Sequence, residues 1–221
     1  MNILQTTDLK KYYGTAPNIT KALDGVTLSV EEGEFAAVVG TSGSGKSTLL
    51  NMMGGLDIPT SGEVVIKGKN LSELKEEQRA IFRRRNIGFV FQNYNLVPVL
   101  NVYENIVLPV ELDGNTADKA YMDEIIRMLS LGDKLQSMPN TLSGGQQQRA
   151  AIARALVSKP AILLADEPTG SLDSKTSAEV LGLLKRSNAV FKQTIVMITH
   201  NHEFAQLADR IIRIEDGRIC G

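Results

Sequence analysis

Short, uninterrupted apolar runs mark this chain at intervals: Glu34–Val39, Phe89–Phe91, Ala161–Ala165 and Thr194–Thr199. Each is too short for an apolar helix. Each is also too continuous for a strand with one wet face, so each predicts a strand buried on both sides. Between them the spacing turns helical. Thr48–Met53 predicts a helix that Gly54-Gly55 stops. Ser143 opens a longer helix through Arg149, Ile152, Ala153, Leu156 and Val157, stopped near Pro160. Residues 1–33 read as short strands joined by turns, Val26–Val30 among them, and Gly62–Gly68 as a further strand. Arg210–Glu215 followed by Asp216-Gly217 predicts a strand and a tight turn.

The strand–helix alternation from residue 34 onward predicts an α/β fold with a mostly parallel, right-handed wound sheet. The N-terminal strands add an antiparallel β part. Residues from about 93 to 158 are helix-rich and interrupt the alternation, so they predict a helical subdomain inside one domain spanning 1–221.

Composition alters this picture little. Among 221 residues, 43% are hydrophobic and 22% charged, which is ordinary for a globular domain. The net charge of −1 gives no global field to recruit nucleic acid, and no nucleic-acid partner is expected. Arg83-Arg84-Arg85, with Arg79 one turn earlier, is a local basic run that reads as a solvated helix face. Cys220 is the only cysteine, which excludes an intrachain disulfide and fits a reducing cytosol. No N-terminal signal pattern stands out, and the uncharged stretch from Asn86 to Tyr103 carries Gln92 and Pro98, so it predicts no membrane span. No internal repeat is visible.

The chemistry gathers where the apolar runs end. Gly40-Thr41-Ser42-Gly43-Ser44-Gly45-Lys46-Ser47 is a complete G-x-x-x-x-G-K-[ST] loop between a predicted strand and a predicted helix, the context that motif needs. Its glycines let backbone N–H groups approach phosphate oxygens, and the helix start adds further anion donors. Lys46 would reach the β- and γ-phosphates, and Ser47 would ligate Mg²⁺. Asp166 and Glu167 follow Ala161–Ala165, at the sheet edge where ligands sit in open α/β folds. Adjacent acids there can divide two tasks. Asp166 is assigned to the metal and Glu167 to the attacking water. Ser143-Gly144-Gly145-Gln146 matches a capping box, which explains Ser143 and Gln146. Gly144-Gly145 would weaken a helix start unless something approaches the backbone closely, so a second anion site is expected there.

With these motifs in this order, the chain resembles the ATP-binding-cassette ATPases over essentially its whole length. Gly40–Ser47 looks like Walker A, Leu142–Gln146 like the signature motif, and Ile162–Glu167 like Walker B with its catalytic glutamate. The resemblance implies a P-loop (RecA-like) fold with ATP and Mg²⁺ at one site. It implies ATP contacts from Gly40, Thr41, Ser42, Gly43, Ser44, Gly45, Lys46, Ser47 and Thr48. Gln92 would be the Q-loop residue touching Mg²⁺ and the water. Ser171-Leu172-Asp173 would be the D-loop, His200 the switch histidine at the γ-phosphate, and Tyr13 the aromatic that stacks on adenine, with Tyr12 as the alternative. It also implies a head-to-tail homodimer when ATP is bound. Leu142, Ser143, Gly144, Gly145, Gln146 and Asp173 would then act in trans on the other copy's ATP.

Within that family, Gln92–Leu100, Glu104-Asn105, Gly54–Asp57 and Leu142–Arg149 resemble the macrolide-exporter and lipoprotein-releasing branch. This implies a separate transmembrane permease chain, a place on the inner face of the cell membrane, and a peptide, macrolide or lipoprotein-like cargo. An ATP-driven regulatory switch acting through a permease-like partner on cell-wall enzymes is the alternative. Tyr94, Leu96, Val99, Leu100 and Tyr103 are expected to line a groove for a permease helix.

Overall fold

The computed structural model describes residues 1–220. Two long strands come first, β1 (Asn2–Tyr13) and β2 (Thr20–Glu31), then β3 (Phe35–Val39) and helix α1 (Lys46–Met53). Next are β4 (Ser61–Ile66), β5 (Lys69–Asn70), α2 (Glu76–Asn86) and β6 (Ile87–Phe91). Three helices follow, α3 (Val102–Glu111), α4 (Lys119–Met128) and α5 (Gly144–Leu156). Then come β7 (Ile162–Asp166), α6 (Ser174–Phe191), β8 (Thr194–Thr199), the short α7 (His202–Ala205), and the hairpin of β9 (Arg210–Glu215) and β10 (Arg218–Cys220).

The main sheet has the order β10-β9-β3-β8-β7-β6. Strands β9, β3, β8, β7 and β6 run parallel, and β10 is antiparallel at one edge. All five residues of β3 are buried. Phe35, Ala37 and Val39 join one core with α3, α4, α5 and α6, while Ala36 and Val38 join another with α1 and the N-terminal strands. A strand covered on both faces has no position for a polar side chain, which is why these runs are unbroken. The C-terminal ends of β3, β8 and β7 lie side by side in this order. The loops leaving them therefore meet, and they carry residues 40–47, His200 and Asp166-Glu167.

A second sheet, β2-β1-β4-β5, is antiparallel and packs on the other side of α1. Here the expected short strands are replaced by two of twelve residues each. The pairing of β1 with β2 slips between Asn2 and Leu4 and between Thr6 and Leu9, and Asp8 sits at φ 44°. Each such bulge resets the period of two, so a long strand looks broken in the sequence.

Helix α5 starts as its capping box requires. Ser143 Oγ accepts from Gln146 N, and Gln146 Oε1 accepts from Ser143 N at 2.9 Å. Helix α1 begins two residues before the expected start and ends at Gly54, whose N–H reaches Leu50 O at 2.7 Å. The basic run on α2 has no buried residue, with Arg85 exposed, but its side chains are engaged. Arg84 and Arg85 both pair with Asp113 beyond α3, and Arg83 donates to Gly55 O at 2.9 Å.

Candidate functional site

Residues 40–47 carry the chain from the end of β3 into α1. Gly45 caps the helix at φ 101°, and a Cβ there would stand 2.3 Å from Ala22 O, so only glycine fits. The first amides of α1 have no partner within the helix and form an anion seat. Lys46 is buried, and its ammonium donates to Gly40 O (2.9 Å) and Thr41 O (2.7 Å), which holds it beneath the loop. The β9–β10 turn braces the loop from outside, with Gly217 N donating to Ser44 O at 3.0 Å. A cleft of about 480 Å³ opens over these residues. Ser42, Gly43 and Gly45 to Thr48 line it together with Glu167 and His200, and Thr20 to Ala22 and Asp216-Gly217 complete it.

Asp166 ends β7, with Oδ1 3.4 Å from Ser47 Oγ. Burial and the neighbouring Glu167 push its carboxyl above the ordinary value, against opposing pulls from Ser47 and Lys46. Glu167 occupies the left-handed region at φ 46°. Its N–H donates to Ile198 O (3.0 Å) and its carbonyl accepts from Gly170 N (2.9 Å), so the turn is fixed at both ends. The carboxylate then meets His200 Nδ1 at 2.9 Å. Adjacent acids are thereby aimed at different targets, Ser47 and His200. A hydroxyl facing a carboxylate is a hard-oxygen pair suited to Mg²⁺. Among the described residues no group of three His, Cys, Asp or Glu could hold a metal unaided. The donor set therefore fits an ion that shares its ligands with phosphate oxygens.

Gln92 follows β6, the strand beside β7. It does not line the cleft. Its amide lies against Gly170, where a Cβ would come within 2.8 Å of it. Tyr13 ends β1 and its phenol donates to Asp57 Oδ2 at 3.1 Å, whereas the Tyr12 phenol donates to Asp24. Gly144 and Gly145 have a reason within the chain. A Cβ would stand 2.8 Å from the Tyr94 hydroxyl at Gly144 and 2.5 Å from Thr176 Cγ2 at Gly145. Internal packing thus accounts for Gly145, since Asp173 holds Thr176 in place, whereas at Gly144 the tips of Tyr94 and Leu172 are the atoms that would have to move. Asp173 caps α6, accepting from Thr176 N (3.0 Å) and Thr176 Oγ1 (2.6 Å). None of Leu142 to Gln146, nor Asp173, lines the cleft that holds Lys46.

Several cleft residues escaped the sequence argument. Thr20, Lys21 and Ala22 come from β2, and Asp216-Gly217 had been read only as a turn. Gln148 is another. It is fully buried in α5, and its amide donates to Phe91 O (3.3 Å) and Pro168 O (2.6 Å), tying α5 to the turns that bear Gln92 and Glu167. In a run of three glutamines nothing local marks the buried one.

The expected groove is not formed by the expected residues. Tyr94 turns onto Gly144, Leu96 packs on the core, and Val99 is 76% exposed. Tyr94 and Asn95 both have positive φ, 60° and 50°, which reverses the chain and breaks the assumed face. A groove does exist nearby, floored by Ile87, Phe89, Phe91, Leu108 and Leu112 and edged by Arg83, Arg84 and Arg154.

A family model described as ABC transporter matches residues 23–170. The macrolide export ATP-binding/permease protein MacB of Syntrophobacter fumaroxidans is 45% identical over 99% of this chain, which spans only 31% of that protein. The bacitracin export ATP-binding protein BceA of Halalkalibacterium halodurans is 42% identical, over 99% of this chain and 87% of its own length. A dimeric ATP-binding cassette solved in a post-hydrolysis state with ADP and Pi superposes with a TM-score of 0.87 at 42% identity, over 98% and 96% of the two chains.

Proposed function

Because this chain belongs to the ABC transporter family, we propose that it binds and hydrolyses ATP between two head-to-tail copies and passes their closing and opening to a membrane permease. The observation that carries this reading is the division of the site. Lys46, Ser47, Glu167 and His200 line one cleft with Asp166 set against Ser47, while the capped N-terminus of α5 lies outside it. The ATPase activity is that of the family. The roles of individual residues are our assignment.

In this assignment residues 40–48 cradle the phosphates, with Lys46 at the β- and γ-phosphates and Tyr13 against the adenine. Mg²⁺ would be held by Ser47 and Asp166, and by Gln92 once its amide turns from Gly170 toward the cleft, and would neutralise charge on the phosphate oxygens. Glu167 orients and deprotonates the attacking water, and His200, already 2.9 Å from it, fixes that carboxylate and faces the γ-phosphate. Leu142 to Gln146 and Asp173 serve the ATP of the other copy. ATP then bridges two chains through its γ-phosphate, and hydrolysis removes the bridge. The free energy available to the permease is the difference in ATP affinity between closed and open pairs.

Residues from about 93 to 158 act as a helical subdomain carrying the α5 N-terminus. The groove edged by Arg83, Arg84 and Arg154 is the surface we assign to the permease. None of the helices in the described residues is long and apolar enough to cross a membrane. The permease named in one relative and the export role named in both support a membrane-spanning partner and a peripheral place on the inner membrane face. The export roles in the names of both relatives support transport of a peptide- or macrolide-like cargo over a regulatory switch.

Glu167→Gln tests the site. It should keep ATP binding, lower turnover by at least about 100-fold, the low end for removing a general base, and accumulate dimers on gel filtration with ATP. Turnover near the wild-type rate would refute the assignment of Glu167.

A further inference from the structure

Tyr13 stands at the edge of the cleft. Thr20, its register partner on β2, lines the cleft, as does Thr48, whose side chain is within reach of the Tyr13 phenol. The ring is held on two sides. Its hydroxyl donates to Asp57 Oδ2 at 3.1 Å, and the Lys11 ammonium lies over one face, 5.0 Å from the ring centre. Asp57 is itself fixed. Its Oδ1 accepts from Lys11 Nζ at 2.8 Å and from Ile58 N at 2.7 Å, and Lys11 also donates to Ile58 O at 2.8 Å. Tyr13 is 43% exposed, so a ring held in this way remains accessible to a ligand.

We propose that Asp57 is the positioning residue of the base platform, setting the plane of the Tyr13 ring relative to α1 so that a purine base meets a ready-made surface. This rests on the reading that Tyr13 receives the base. Asp57 lies in the turn just after α1, the helix whose first turn forms the phosphate seat. Base platform and phosphate seat are thus joined by one short segment. A group ordered beforehand loses less freedom on binding, so the gain appears as affinity. The carboxylate at its hydroxyl also keeps the phenol protonated and donating, against the opposing pull of the Lys11 cation. Burial and the Asp57 bond both push its pKa up.

The test is calorimetric binding of ATP and of inorganic tripolyphosphate, which has phosphates but no base, together with steady-state ATPase kinetics. Asp57→Ala should weaken ATP binding about 3- to 10-fold, the span of one lost hydrogen bond, and raise KM with kcat unchanged. Tripolyphosphate binding should stay within about a factor of two, since contacts to the phosphates are untouched. Tyr13→Phe should match Asp57→Ala, and the double variant should be no worse than either alone. Asp57→Asn, which keeps an acceptor oxygen, should recover most of the affinity. Equal weakening of ATP and tripolyphosphate would overturn the proposal, because Asp57 would then act on the phosphate seat. Unchanged ATP affinity in Asp57→Ala, with a loss of about 10-fold in Tyr13→Ala, would overturn it while sparing the platform. Unchanged affinity in Tyr13→Ala would remove the platform itself and the proposal with it.

Discussion

Asp24 shows how a single carboxylate can tie three segments together. It accepts from the Tyr12 phenol and from Arg218 Nη2 at 2.7 Å, and its own N–H donates to Gly217 O, so β1, β2 and the β9–β10 hairpin meet on it. The Tyr12 hydrogen bond, then that of Arg218, brings its pKa from 3.8 down to about 2. A carboxyl whose folded pKa is depressed adds stability above its unfolded value and loses it as pH falls through the folded one. Asp24→Asn should therefore cost stability at neutral pH, and the gap to wild type should close between pH 3.8 and about 2 in urea denaturation. A gap that does not vary with pH would refute the linkage. Asp24 itself was invisible in the sequence, one acid among 25 Asp and Glu, because its two partners lie 12 and 194 positions away. Lys46, Asp166 and Glu167 were legible because the motifs that mark them are local, although Ser47 and His200, which face the two acids, lie 119 and 33 positions away.

At the level of elements, the N-terminus of α5 is a crowded junction. Thr176 Oγ1 is held by Asp173, so its Cγ2 cannot swing away from Gly145. Gly145→Ala gains about 1 kcal/mol in helix propensity but forces an overpacked contact that costs about 1–3 kcal/mol. The net expectation is a loss of up to about 2 kcal/mol. Thr176→Ser in the same chain removes the crowding methyl, keeps the hydroxyl on Asp173, and should restore stability. Thermal melts of the single and double variants decide it, and a Gly145→Ala chain as stable as wild type would show that the contact relaxes freely. The capping box of this helix could be read directly, since four consecutive residues contain it. The twelve-residue length of β1 and β2 could not, because bulges shift the alternation that would have revealed it.

For the whole molecule the question is whether two copies share each site. Lys46→Ala chains and Ser143→Arg chains should each be inactive alone, one lacking the phosphate seat and the other the capped α5 terminus. Mixed, they form some dimers in which one composite site is intact, and ATPase activity should return to a fraction of wild type. Absence of recovery, with heterodimers verified by differential tagging, would count against shared sites. A verified monomer turning over ATP at the wild-type rate would exclude them. What the sequence determined by itself is the chemistry and the class of fold. Phosphate loop, acid pair and capped helix are each written in a handful of consecutive residues, and strands buried on both faces betray themselves as unbroken apolar runs. Tertiary structure alone decided the strand order that brings β3, β8 and β7 together, the hold of Asp57 on Tyr13, the internal packing of Gly144 and Gly145, and the place of the α5 N-terminus outside the Lys46 cleft. These depend on how segments far apart in the chain are folded back on one another. Such long-range closure leaves no periodic trace in the residues it joins.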